Sequence, residues 1–267
     1  MSLQRNRPTN EPRPPLRGSR RRAIARSTLR TVVLLGLVLV PLQLPVQAAR
    51  VGDKHIGWPG ATLSGVDCFG GGQGHGPLDY LTASADERNL VEGAHFTPIV
   101  EQLIRGQASG VDPLGDIDYT LRAFPNHHRA LWSMSQYHLK KIKAVGIESV
   151  QTAERAHRGS TPPECYFQRA KVFDPEDKMV PAIFGIYLHK RGMLDAALKE
   201  YQEAEAKFPK HPELVYNMGL LYFDLGQIDK AQEYAERARV LGYPLDGLSR
   251  KIQRKRAEAD SSANTGN

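Results

Sequence analysis

Two stretches decide the fold: Phe184-Gly-Ile-Tyr-Leu188-His-Lys-Arg-Gly192-Met-Leu-Asp195-Ala-Ala197-Leu-Lys-Glu-Tyr201-Gln-Glu-Ala204 and, 34 residues on, Met218-Gly-Leu-Leu-Tyr222-Phe-Asp-Leu-Gly226-Gln-Ile-Asp229-Lys-Ala231-Gln-Glu-Tyr-Ala235-Glu-Arg-Ala238. Aligned in that register, Gly185 meets Gly219, Gly192 meets Gly226, Asp195 meets Asp229, Ala197 meets Ala231 and Ala204 meets Ala238. A fixed period of this size is the mark of a repeat array, in which each unit is one supersecondary element that buries its apolar face against the next. Between the small positions the apolar residues recur at helical spacing, so each window reads as two amphipathic helices. Gly192 and Gly226 fall where the first helix ends and a positive φ is wanted. Gly185, Gly219 and the paired alanines are small where two helices would cross closely, and Pro209 stops the second helix.

This pattern resembles the tetratricopeptide repeat, a helix-turn-helix unit, in tandem over residues 178–211 and 212–245. Extending the register upstream from Pro125 gives a weaker unit, 128–177, in which Leu131, Met134 and Ser135 and then Phe167 and Ala170 fall at repeat positions. It carries 16 extra residues, placed between its two helices in 145–163 around Gly159-Ser-Thr-Pro-Pro163, and it lacks the inter-helix glycine. A fourth, degenerate unit is predicted from a helix over 97–106, begun by Thr97-Pro98, and a second over 116–124. A further helix is expected near 85–95, a capping helix over 245–256, and a disordered polar tail over 258–267. The fold class is therefore all-α: a helical domain over 84–257, preceded by an irregular segment, 49–83, with eight glycines between Gly57 and Gly76.

The resemblance implies a function as well. In such arrays the first helix of each unit lines a concave groove that holds a peptide. Carried onto this chain, the groove positions include Arg129, Trp132, Gln136 and Lys140 in the unit with the insertion, Ile186, His189 and Lys190 in the next, and Tyr216, Asn217, Leu220 and Phe223 in the last. Aromatic and aliphatic anchors beside Arg129, Lys140, His189 and Lys190 suit a peptide with apolar anchors and acidic groups. The implied activity is protein–protein interaction without catalysis. No cofactor and no metal is expected.

Charge distribution excludes one other class and points to a compartment. The 267 residues carry +7, with 36 Lys and Arg against 29 Asp and Glu, but residues 1–30 alone hold nine arginines and one acid, Glu11. The remainder is −1, so the body lacks the basic footprint of a nucleic-acid binder. Behind the arginines come an apolar run from Thr31 to Val40, Pro41 and Pro45, and a Val46-Gln-Ala48 end. A basic region, an apolar core and small residues at −3 and −1 make a secretory signal over 1–48, cleaved before Ala49. An uncleaved inner-membrane anchor is the alternative. The expected location is therefore the periplasm, and the expected partner another protein of the cell envelope. Export also places Cys68 and Cys165, the only cysteines, in an oxidising compartment, where one disulfide is expected.

The most metal-like local feature is Pro125-Asn-His127-His128-Arg129, with His95 and His138 as neighbours in sequence. It supports an alternative function in metal or haem handling. Adjacent histidines on a helix diverge by about 100°, which argues against joint ligation. Asp116 and Asp118, two apart, diverge likewise and do not make a paired-carboxylate site. No nucleophile-elbow signature is present.

Overall fold

The computed structural model describes residues 56–265 apart from Ser109 and Gly159, without the side chains of residues 262–265. The signal segment predicted over 1–48 lies outside the described residues. Among those described there are eleven helices and no strand, only an isolated bridge between Ala61 and Asp67. No helix among them is long and apolar enough to cross a membrane.

The two clear repeats fold as helix hairpins, α7 (Met179–Lys190) with α8 (Leu194–Lys207) and α9 (Pro212–Asp224) with α10 (Ile228–Val240). Gly192 and Gly226 end the first helix of each hairpin with φ near +75°, a conformation glycine adopts without the Cβ penalty. At Gly185 a Cβ would lie 2.4 Å from the Tyr201 ring, and at Gly219 one would lie 2.5 Å from Leu248. Ala197, Ala204, Ala231 and Ala238 are buried opposite them. Small residues are thus required by contact as well as by register.

The preceding unit pairs α4 (His128–Val145) with α6 (Pro163–Phe173), and the insertion between them folds into a helix of its own, α5 (Ile147–Arg155). Val150 and Glu154 turn inward from α5. Upstream, α1 (Ala85–His95) opens with a capping box: Ser84 Oγ accepts from Glu87 N–H at 3.2 Å and Glu87 Oε2 accepts from Ser84 N–H at 2.8 Å, satisfying two orphan donors. The helix predicted over 97–106 is corrected to one turn, α2 (Pro98–Glu101), with Leu103 at φ 58°. The helix ends where Leu103 turns left-handed and the N–H groups of Ile104 and Arg105 both turn back to Ile99 O; beyond it the buried Asp116 carboxylate holds the backbone N–H groups of Gln107 at 2.7 Å and Ala108 at 3.1 Å. α3 (Leu114–Ala123) then leads into α4.

α11 (Gly247–Thr265) closes the array with Leu248 and Ile252 fully buried. It runs nine residues beyond the predicted end at 256, so the disordered tail predicted over 258–267 is corrected through Thr265. Ala257-Glu-Ala259 are strong helix formers, and no breaker intervenes before Gly266. One apolar core runs from Phe96 and Val100 near α2 to Ile252 in α11.

The glycine-rich segment 56–83 lies as an irregular strap on α3 and α6. Cys68 and Cys165 form a disulfide, with Cα atoms 5.3 Å apart. Trp58 stands edge-on to Tyr166, ring centres 5.1 Å apart, and donates its indole N–H to Gly71 O at 3.0 Å. Arg169, 2% exposed, spans the junction, donating to Gly57 O, Leu121 O and Gln73 Oε1. Burial pulls its guanidinium down to about 10. The strap's irregular backbone is thereby held by side chains of the helices beneath it.

Candidate functional site: a trough along the inner helices

The first helices of the three units, α4, α7 and α9, share a concave trough. Its first cavity, about 570 Å³, has an apolar floor of Trp132, Ile183 and Ile186, with Arg129 at one side and Glu213 and Asn217 of α9 at the other. Ile183 is buried, and Trp132 and Ile186 are half-buried. A second cavity, about 440 Å³, lies between Trp132, Gln136 and Lys140 of α4 and the turn at Gln102 and Leu103. A third, about 690 Å³, lies between Leu139 and Lys143 of α4 and Ile147 and Gln151 of α5. Lys190 lines all three.

The predicted groove residues divide into two groups. Arg129, Trp132, Gln136, Lys140, Ile186, Lys190 and Asn217 all line the trough. The Asn217 amide makes no side-chain hydrogen bond among the described residues. Arg129 is engaged already: its Nε donates to Glu101 Oε1 at 2.8 Å and Nη2 bonds Glu101 Oε2. That pair raises the arginine and lowers the carboxyl, by hydrogen bonding first and charge second. The guanidinium also lies over Phe96, 5.5 Å from the ring centre.

The other four lie elsewhere. Tyr216 is a correction: it is 8% exposed, stacked on Tyr243 at 4.3 Å, with its hydroxyl accepting from Leu248 N–H at 3.2 Å. Lys251 of α11 sits 5.3 Å over the Phe223 ring, and Leu220 packs half-buried against the core. The capping helix occupies this end of α9, which a repeat register alone does not reveal. His189 bridges α7 to α9 through Nε2 and Asp224 Oδ2, 2.8 Å apart. Conversely, Gln102 and Leu103 escape sequence reasoning because they sit in an irregular turn. The α5 contribution could have been anticipated only from the insertion's position.

The histidines of the candidate metal segment are each engaged within the chain. His127 Nδ1 accepts from Ala130 N–H as the N-cap of α4, and Nε2 faces Glu92 Oε1 at 2.8 Å. Because Nδ1 accepts, the imidazole is neutral with its proton on Nε2. Burial is the largest influence on it and lowers its pKa to about 4. His128 Nε2 pairs with Asp177 Oδ2 at 2.8 Å, and His95 Nδ1 with Asp116 Oδ1 at 2.8 Å. His138 lies between Glu154 at 3.1 Å and the Tyr187 hydroxyl at 2.9 Å. Among the described residues no group of three or more His, Cys, Asp or Glu is placed to hold a metal ion. Asp118 accepts from Arg122 and Tyr166, and with Asp116 bound to the 107–108 backbone the two carboxylates serve separate structural contacts.

Residues 188–239, from the end of α7 to the end of α10, match the family model for the tetratricopeptide repeat. Over those residues the chain carries a tetratricopeptide repeat, a unit of protein-interaction modules. No curated protein sequence matches it. Among solved structures it is similar to PilF of Pseudomonas aeruginosa, at 15% identity over 65% of this chain and 68% of that one, with a TM-score of 0.43. It is also similar to YrrB, described as a TPR protein with an unusual peptide-binding site, at 20% identity over 66% of this chain and 94% of that one, with a TM-score of 0.32.

Proposed function

We propose that the chain is an exported, non-catalytic adaptor that holds another protein of the cell envelope by seating a peptide of that partner in the trough on α4, α7 and α9. One observation carries this reading. Trp132 and Ile186 form an apolar floor left half-open by the described chain, flanked by the unbonded Asn217 amide. A concave apolar surface with a few convergent polar groups is what a ligand covers, and apolar anchors with a side-chain amide for the peptide backbone suit peptide recognition. The arginine-rich leader and Val46-Gln-Ala48 support export, and the Cys68–Cys165 bridge is compatible with an oxidising compartment.

The test is affinity capture from an envelope extract with the chain beginning at Ala49, compared with the same chain carrying Trp132→Ala and Ile186→Ala. A partner retained by the first and lost by the second supports the reading. Equal retention by both, at unchanged helix content, removes the trough from the account. N-terminal sequencing of chain recovered from the periplasm should begin at Ala49, and recovery of an intact leader in the membrane fraction would select the anchored form.

A further inference from the structure

The trough does not end where the repeat pattern does. Gly146 separates α4 from α5 by a single residue, and Val150, 3% exposed, with the Glu154–His138 hydrogen bond, holds α5 against α4. The insertion therefore adds a wall, with Ile147 and Gln151 on the third cavity opposite Met193.

Charge singles this end out. The two arginines on the trough are neutralised, Arg129 by Glu101 and Arg191 by Glu164. Lys140, Lys143 and Lys190 are all exposed, and none has a carboxylate within ion-pair distance among the described residues. Glu213, the acid lining the first cavity, belongs to α9 at the other side. Three unpaired ammonium groups thus surround the apolar side chains Leu139, Ile142 and Ile147.

We infer that the α4–α5–α7 end of the trough is a subsite for acidic side chains. Its occupant is a partner peptide that carries Asp or Glu next to the apolar residue seated on Trp132 and Ile186. The inference rests on the proposed peptide-binding role of the trough. Complementary charge favours such a peptide over a basic one chiefly through partner choice and association rate, and salt screens the effect because the lysines are exposed.

Selection of random twelve-residue displayed peptides on the disulfide-bonded chain tests this, using wild type, Lys140→Gln/Lys143→Gln/Lys190→Gln, and Trp132→Ala/Ile186→Ala. The wild-type pool should be enriched in Asp and Glu beside an apolar residue. Synthetic peptides from that pool should bind the triple-Gln variant about fivefold or more weakly at low salt, three exposed ion pairs being lost, with the gap closing in high salt. An acid-poor pool, or equal affinity for the triple-Gln variant, overturns the subsite while leaving the peptide-binding role intact if Trp132→Ala/Ile186→Ala still abolishes binding. Peptides that bind all three proteins alike, or no enriched pool at all, overturn both. Unchanged thermal unfolding of the triple-Gln variant separates lost recognition from lost fold.

Discussion

At the scale of single residues, the glycines of the repeat do two different jobs, and substitution separates them. Gly185→Ala forces a methyl to within 2.4 Å of Tyr201, so the ring or the helix must move, at about 1–3 kcal/mol. Gly192→Ala meets no atom within 4 Å but holds φ at +75°, and should cost only about 1 kcal/mol. Urea unfolding of both variants checks the ordering; a larger loss at Gly192 would refute it. His127 offers a test in pH. Its pKa is lowered to about 4 in the fold, against about 6.5 in the unfolded chain, so between those values the unfolded state binds more protons. The stability this site contributes is complete above about pH 6.5 and is lost as pH falls toward 4. From pH 7 to 5 the wild type should lose about 2 kcal/mol from this site. His127→Asn, which retains a cap acceptor, should show a correspondingly shallower decline in unfolding midpoints.

At the scale of elements, a buried polar network ties the inserted helix into its unit, alongside the buried small residues Ser135 and Ala170. Arg191 bonds Glu164 and lies 3.1 Å from the Tyr187 hydroxyl, which in turn contacts His138, itself bonded to Glu154 of α5. Four helices meet there, α4 to α7. Removing one member of a buried ion pair leaves the other charge uncompensated, so Glu164→Ala should destabilise by about 3–5 kcal/mol, read by denaturant midpoint. The helix periodicity of 128–145 was legible in sequence; the helicity of 147–155 was not, because its inward face consists of Val150 and a charged residue, Glu154. The capping signals at Thr97-Pro98 likewise favoured a longer α2, but the chain turns left-handed at Leu103, and Asp116 holds the backbone beyond it in an irregular turn.

At the scale of the whole molecule, the array and the strap form one body through a link 97 residues apart in sequence. By loop-closure entropy the Cys68–Cys165 bridge contributes about 4–5 kcal/mol. Cys68→Ser/Cys165→Ser should lower stability toward that figure and speed amide exchange over 57–76 while sparing α7 to α10, whose contacts are local. Non-reducing peptide mapping of the chain isolated from its native cells should recover the Cys68–Cys165 peptide, and two free thiols would exclude the bridge.

By itself the sequence determined the helix hairpins, their small residues and the turn glycines, because these follow from a 34-residue period and from contacts between neighbours in the chain. It also placed seven of the predicted groove residues on one surface, since first helices of successive repeats face the same way. Only the tertiary structure decided which of those residues stay open. Tyr216 and Phe223 are covered by α11, Arg129 is claimed by Glu101, and α5 lengthens the trough around Lys190. Each of these depends on non-repeating segments, the cap, the α2 turn and the insertion, whose positions are set by long-range burial and hydrogen bonding rather than by any local period.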